Sequence, residues 1–468
     1  MEEHMVTKLK QTDNYFPHFL LLFIVFQPIL DLLTSFSIYV LHMSATVGIV
    51  VRFAFMLLAL GYLLLHHKQQ GAKKYILYLC LFGIVLAIGL VNNLMIKSPV
   101  SFGEEVKFIM KSVYPIVLLF GYIIALKELK NNEFAFHKII TYFLYATLIL
   151  SISIITAMAT GTDFASYPNS KIGSRGWFFA GNDLSSIFAI MFPIVVLYSV
   201  HKTTSFSKVY YWIPTVLAMY ASIMIGTKVG YGAIVITLGI ALFFLFIEYM
   251  MHRKKEGKGF THIVNTVVVA VILGGLIALT PHTPIAKNMG IHMQIYEYKK
   301  SVQEEKDRKE GKVIKADPED AKKHAKGELT DSEVKSLIYS DRDKFLKTYK
   351  QYYKDAPLSQ KLFGMGYAGN YTDKIKLIEM DFHDLFFAFG IVGFLIYLIP
   401  LLYFGIKLFI RMITNFKKIM KVKYMLLAST LVLSLGIGFM SGHVLTAPAV
   451  SIFFVVILAY IIVDFEIE

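Results

Sequence analysis

A chain of 468 residues that is 56% hydrophobic, 15% aromatic and only 17% charged stands apart from soluble domains, which average about 45–50% apolar and about 25% charged residues. Its apolar runs of about 20 residues suit a bilayer core of about 30 Å, which excludes a soluble enzyme, a disulfide scaffold, a disordered chain and a membrane β-barrel built on strands of about 10 alternating residues. The net charge of +14 comes with no basic helix or RNA-binding signature, so nucleic acid is not expected as a partner.

The fold class that follows is all-α: a polytopic membrane protein with twelve predicted spans, at residues 16–39, 44–65, 75–95, 107–126, 138–158, 184–200, 209–226, 229–250, 262–280, 385–410, 424–441 and 444–463. The first run is too long for a signal-peptide core and lacks a small-residue cleavage site, so it reads as a retained anchor. It carries Gln27 and Asp31 beside Pro28, and the second run carries Arg52. Ionisable groups inside a membrane are functional candidates by default, and pairing of Asp31 with Arg52 is the structural alternative. Cys80, the single cysteine, lies within the third run, allows no intrachain disulfide and reads as a buried, inert thiol.

Ahead of the sixth span stands Arg175-Gly176-Trp177-Phe178, followed shortly by Asn182-Asp183. Lys228 interrupts an otherwise continuous apolar stretch between spans seven and eight, where snorkelling to the interface is the plain alternative to a role. A loop of about 100 residues divides the chain into 1–280 with nine spans, 281–384 as the loop, and 385–468 with three spans. In the loop, 301–328 is rich in Lys, Glu and Asp and reads as a solvated helix or excursion. Thr330 and Glu333 form a capping-box pattern. Apolar residues from Val334 to Tyr353 then recur at helical spacing and predict one amphipathic helix ending near Pro357. Arg342 stands near its apolar edge, with solvation as the alternative reading. Gly364, Gly366 and Gly369 spell G-x-G-x-x-G with no strand before them, which predicts a tight turn leading back to the membrane and not a dinucleotide site. Asn370-Tyr371-Thr372 is a glycosylation triplet of the kind that arises often by chance.

Where the loop re-enters the membrane stands Asp381-Phe382-His383-Asp384-Leu385. His443 lies in the glycine-rich turn before the last span, either lining a cavity or resting at the interface. No metal-binding signature and no P-loop occurs, so neither a metal, a cofactor nor ATP is expected.

Charge sets the expected orientation. With the N-terminus in the cytoplasm, twenty Lys and Arg fall on inside segments, among them Lys73, Lys127, Arg253 and Arg411, against about seven on the short outside ones. The large loop and both sequence motifs before it then face outward. Arg175, Lys228, Arg342 and His383 gather on that one side. Cations there can hold a phosphate-rich head group, Arg bidentately and Lys as a point charge. A histidine can take the proton of an attacking hydroxyl. The set suits attack of a sugar hydroxyl on a lipid-pyrophosphate-linked sugar, whose leaving pyrophosphate the cations would stabilise. A flippase or secondary transporter is the rival reading, and it predicts polar groups and broken helices at the midplane. A scaffold, the third reading, would tolerate loss of His383.

At these residues the chain resembles the O-antigen ligase and O-antigen polymerase superfamily of bacterial polysaccharide transferases. The resemblance rests on the twelve-span plan, on the loop between spans nine and ten, on Arg175 through Asp183, on Asp341-Arg342 with the trailing Leu362-Phe363-Gly364-Met365-Gly366, and on His383-Asp384-Leu385 through Gly390-Ile391-Val392-Gly393. It implies a metal-independent glycosyltransferase in a bacterial inner membrane, with both termini cytoplasmic and the active site at the outer face. The implied donor is an undecaprenyl-pyrophosphate-linked glycan and the acceptor another glycan or lipid-linked glycan, with other polysaccharide-assembly proteins as candidate partners. His383 would be the catalytic base or the acceptor-positioning residue, and Arg175, Lys228 and Arg342 would bind the pyrophosphate. Lys228 falls where many members carry arginine, which keeps the charge and loses the fork. Asn182, Asp384, Arg52, Asp31 and His443 are the expected cavity-lining residues.

Overall fold

The computed structural model describes residues 15–43, 46–130, 133–167, 171–252, 258–310, 329–340, 342–372 and 376–466. Lys8, Lys10, Arg253, Lys254, Lys255, Asp341 and the polar stretch 311–328 lie outside the described residues. Within them the chain is helical, with one isolated antiparallel bridge between Ala165 and Ser174 as its only β-pairing.

The first nine helices are α1 (Tyr15–Tyr39), α2 (Val47–Leu65), α3 (Ala72–Ile96), α4 (Phe102–Lys130), α5 (Glu133–Ala159), α6 (Gly181–Lys202), α7 (Ile213–Ile225), α8 (Lys228–His252) and α9 (Lys258–Leu279). The loop supplies α10 (Pro284–Lys309), α11 (Asp331–Tyr339), α12 (Arg342–Asp355) and α13 (Leu358–Phe363). The chain ends with α14 (Asp381–Thr414), the short α15 (Phe416–Ile419), α16 (Val422–Met440) and α17 (Pro448–Asp464). Ten of these helices are long and apolar enough to cross a bilayer. A 3-10 turn at Phe206–Trp212 running into α7, and the 17-residue α17, occupy the two remaining predicted spans.

The helices sort by what surrounds them. α4 from Tyr114 to Leu126, α6 and α17 are apolar on every side and buried nearly all round, as a helix without a polar face must be unless lipid covers it. On α3, by contrast, Leu77, Leu81, Ile84, Ile88, Val91 and Met95 form an exposed stripe. So large a bare apolar surface requires cover, which the acyl chains provide. Cys80 lies on an exposed position of this same helix, which corrects the expectation of a buried thiol: an apolar run in a membrane protein does not separate core from lipid.

Two ends of the bundle are tied differently. At one, Phe16 stacks on Tyr62 at 4.6 Å, Tyr122 donates to the carbonyl of Leu20 at 2.7 Å and Lys130 pairs with Glu466 at 2.8 Å. The loop segments pack over the other. There the predicted capping box is present: Thr330 Oγ1 accepts from Glu333 N, and Glu333 returns a bond to Thr330 N at 2.7 Å. The single amphipathic helix expected behind it is two helices. Ser340 sits at φ 51, a left-handed turn that ends α11 and lets α12 leave in a new direction.

The glycine motif explains itself by contact. α14 is broken at Gly390 (φ 67, ψ −173), which frees carbonyls of the turn before it. Met365 N donates to Phe387 O at 2.8 Å and Gly366 N to Ala388 O at 3.1 Å. The Glu105 carboxylate, itself paired with Lys97 at 2.7 Å, accepts from Tyr367 N at 2.8 Å. A Cβ on Gly364 would lie 1.9 Å from Ala388 O, at a φ of 93. Gly364→Ala is therefore expected to destabilise the protein by about 3 kcal/mol or more. The thermal midpoint in detergent reads this, with Gly239→Ala, which meets nothing within 4 Å, as a silent control. Equal midpoints for the two would show that the turn is not docked on the helix break.

Candidate active site

At the loop end of the bundle a cavity of about 380 Å³ opens between the C-terminal part of α1, the starts of α2, α6, α14 and α17, and the first turns of α4. Its apolar wall includes Phe178, Leu184 and Ile187, and its charged groups fall into a definite set of pairs.

The first pair crosses between α1 and α2. Arg52, buried at 4% exposure, donates to Asp31 at 2.7 Å and to Gln27 Oε1 at 2.8 Å. A buried guanidinium needs both a counter-charge and acceptors for its remaining donors, and these two side chains supply them. The anticipated Asp31–Arg52 pairing is thus present, and it forms part of the cavity wall.

The second pair joins α6 to the turn before α17. Asp183 Oδ1 lies 3.0 Å from His443 Nδ1. Nε2 of His443 is closed to water and has no hydrogen-bond partner. Burial pulls the imidazole pKa down. The hydrogen bond that the ring donates to Asp183 and the charges of Asp183, Asp381 and Glu379 outweigh it and raise the value to about 8. His443 holds a left-handed backbone, φ 64, that a side chain rarely adopts. One carboxylate enforces it. Asp381 accepts from the backbone N–H groups of His443, Val444 and Leu445 at 3.1, 2.8 and 2.7 Å, and from Thr446 Oγ1 at 2.6 Å. Gly442 permits the approach, since a Cβ there would meet Glu379 O at 2.7 Å.

Two further carboxylates line the cavity from the segment ahead of α14 and from its first turn. Asp384 accepts from Ile378 N at 2.9 Å and Met380 N at 3.0 Å, folding that segment over the helix start. Glu379, at φ 64, takes Arg342 Nε on its carbonyl at 3.0 Å and Arg342 Nη2 on its carboxylate at 3.4 Å, with Lys376 at 2.7 Å. Burial raises the Glu379 carboxyl, and Lys376, His443 and Arg342 together more than offset it, holding it below the usual range. Among the described residues, Lys111 on α4 is the one charged group of the wall with no hydrogen bond or ion pair.

The residues expected from the sequence are distributed around this cavity unequally. Asp31, Arg52, Asp384 and His443 stand in its wall, whereas Asn182 is exposed and not part of it. Arg342 reaches it through Glu379. Arg175 donates to Phe179 O, a wall residue, and to Tyr39 Oη at 2.9 Å, while its Nε has no partner. The ammonium of Lys228 donates to Leu337 O at 2.6 Å, joining α8 to α11, and Arg342 and Lys171 are its cationic neighbours. His383 is not a wall residue. Its ring rests 5.7 Å from that of Phe439, and its Nδ1 is buried without a partner. Asp183, Glu379, Asp381 and Lys111 were not singled out by sequence reasoning. Lys111 carried a signal, because it lies one turn inside a predicted span, where ionisable residues are rare. Asp183 and Asp381 stood inside the quoted motifs, but nothing in local sequence marked them or Glu379 as partners, since bonds to groups distant along the chain are not written there.

Among the described residues no cluster of three or more His, Cys, Asp or Glu side chains stands where it could hold a metal ion. No curated protein and no solved structure matches the chain. The family model described as O-antigen ligase like membrane protein matches residues 13–468. The helical bundle and its match over nearly the whole length agree, and the chain belongs to the O-antigen ligase-like family of membrane proteins, which places it in the handling of glycans at a membrane.

Proposed function

We propose that this protein is a glycosyltransferase that moves an undecaprenyl-pyrophosphate-linked glycan onto an acceptor hydroxyl at the outer face of a bacterial inner membrane. The observation that carries the reading is the shared wall of one cavity, in which an imidazole oriented by Asp183 stands with Arg52 and Lys111, one contact away from Arg342. The lipid tail of the donor would lie against the apolar helix faces, with its phosphates at the cavity. Cations aimed there favour the charge that develops on the departing pyrophosphate.

The acceptor oxygen attacks the anomeric carbon, a new C–O bond forms, and the bond to the phosphate oxygen breaks with its electron pair leaving on the pyrophosphate. The hydroxyl proton passes to Nε2 of neutral His443, which the entering acceptor must first uncover and whose Nδ1–H is held by Asp183, and is afterwards lost to water or to the released lipid pyrophosphate. Of the two roles the resemblance gives His383, acceptor positioning suits its place better than proton transfer, because it is not one of the residues that line the cavity. Orientation follows from charge. The end opposite the cavity carries Lys68, Lys73, Lys74, Lys127 and Lys130, and such ends remain in the cytoplasm.

The test is a size ladder of lipid-linked and surface glycans from a strain lacking the protein, restored with wild type or with Arg342→Ala. Single repeat units accumulating on lipid would identify a polymerase, and long chains retained on lipid a ligase. Arg342→Ala is expected to lower transfer, because Glu379 then loses the guanidinium that holds it in the cavity wall. A ladder unchanged by deletion of the protein would overturn the reading.

A further inference from the structure

We infer that Lys111 is the cation that receives the phosphate of the lipid-linked substrate, a role given by sequence resemblance to Arg175, Lys228 and Arg342. The inference rests on the proposed transfer reaction. Its basis is an accounting of partners around the cavity. Asp31 is held by Arg52, Asp183 by His443, Glu379 by Arg342 and Lys376, and Asp381 and Asp384 by backbone N–H groups. Arg52 is committed to Asp31 and Gln27.

Of the three cations expected to bind phosphate, Arg342 is paired with a carboxylate, while Arg175 and Lys228 meet only neutral oxygens and Arg175 keeps an unpartnered Nε. Arg175 donates to Phe179 O and Tyr39, Lys228 to Leu337 O, and Arg342 to Glu379. None of them is a wall residue. Lys111 is half-buried, lies in the wall, and among the described residues makes no hydrogen bond or ion pair; Asp183 and Glu104 act on it only at longer range, and Glu104 is already paired with Lys107 at 3.3 Å. A desolvated charge without a counter-ion is costly in the ligand-free protein. An anion arriving in the cavity removes that cost. A phosphate ester fits best: Lys recognises it as a point charge, and the apolar wall and exposed helix faces suit a lipid chain.

Two kinds of lipid carry that chemistry, a polyprenyl pyrophosphate and an ordinary phospholipid head group. The experiment separates them. Protein in phosphatidylcholine nanodiscs would be titrated with undecaprenyl pyrophosphate, with and without phosphatidylglycerol in the disc, for wild type, Lys111→Met and Lys111→Arg. Transfer would be measured in parallel with the lipid-linked glycan extracted from the deletion strain.

Lys111→Met is expected to weaken undecaprenyl pyrophosphate binding and to raise the donor KM at least 10-fold, with a smaller change in kcat. Lys111→Arg should stay within a few-fold of wild type. Lys111→Met should also be at least as stable as wild type to heat, because it removes an unpaired charge; a lysine with a structural role would show the opposite. Unchanged binding in Lys111→Met, or a thermal midpoint well below wild type, overturns the inference. Competition by phosphatidylglycerol at similar affinity overturns it too, making Lys111 a head-group anchor. A wild-type protein that neither binds the polyprenyl pyrophosphate nor transfers the glycan refutes the proposed function itself. If Lys111→Met proves unfolded, its structural role is shown and the inference fails.

Discussion

Asp381→Asn is expected to cost about 3 kcal/mol of stability and to reduce transfer about 100-fold or more. The carboxylate takes four donors, two at each oxygen: His443 N and Thr446 Oγ1 at Oδ1, Val444 N and Leu445 N at Oδ2. An amide keeps one acceptor oxygen and turns an NH2 group toward the other pair. Even with the NH2 turned to the side where the Thr446 hydroxyl can rotate to accept, the His443 N–H loses its partner and faces another donor, at about 1–3 kcal/mol before relaxation. The effect on chemistry exceeds the effect on stability, because these bonds hold His443 in its left-handed backbone and so set the imidazole against Asp183. Thr446→Val, which removes a single bond, should cost only about 1 kcal/mol. Thermal midpoints and transfer rates of the two variants, side by side, decide the matter. An Asp381→Asn protein with wild-type stability and rate would mean that this carboxylate does not organise the turn.

The second large effect concerns pH. If neutral His443 accepts the proton, transfer must rise with pH along a limb whose midpoint lies near the raised imidazole value of about 8. The sign follows from the protonated form having no lone pair at Nε2. Groups facing the ring come from several elements: Asp183 on α6, Asp381 on α14 and Glu379 ahead of it, with Asp31, Arg52 and Lys111 across the cavity. His443→Gln is expected to lower kcat about 100-fold and to abolish the limb. Asp183→Asn should shift the limb to lower pH, because it removes the bond and the charge that hold the value up. Stability moves the other way. A histidine whose pKa is higher in the folded state contributes stability that is full below its unfolded value and is lost as pH rises through about 8. Activity and thermal midpoint should therefore diverge over this interval. A rate that instead falls as pH rises through it would assign His443 as an imidazolium holding the leaving group.

The bundle was legible in the sequence because a bilayer imposes a length and an apolar composition on every crossing, and both are local properties. The start of α11 was legible for the same reason, since Thr330 and Glu333 satisfy each other within one turn. The break between α11 and α12 was not, because Ser340 is no glycine and its left-handed turn depends on what the two helices pack against. Cys80 shows the limit from the other side: hydropathy is equally high for a residue in the core and a residue against lipid.

The candidate site divides along the same line. Cations and imidazoles stand out in apolar sequence, so Arg52, Asp31, Asp384 and His443 could be named, and the side of the membrane on which they gather could be proposed. Partners could not. His443 meets Asp183 across 260 residues of chain, and Asp381 meets the turn at 443–446 across more than 60. Composition and periodicity by themselves determined a helical membrane protein, because length and apolar composition are dictated residue by residue by the solvent. Only the tertiary structure decided which charges of the cavity wall are paired and that, among the described residues of that wall, Lys111 makes no hydrogen bond or ion pair. Pairing depends on distances of about 3 Å between groups far apart in sequence, and nothing short of packing the helices sets those.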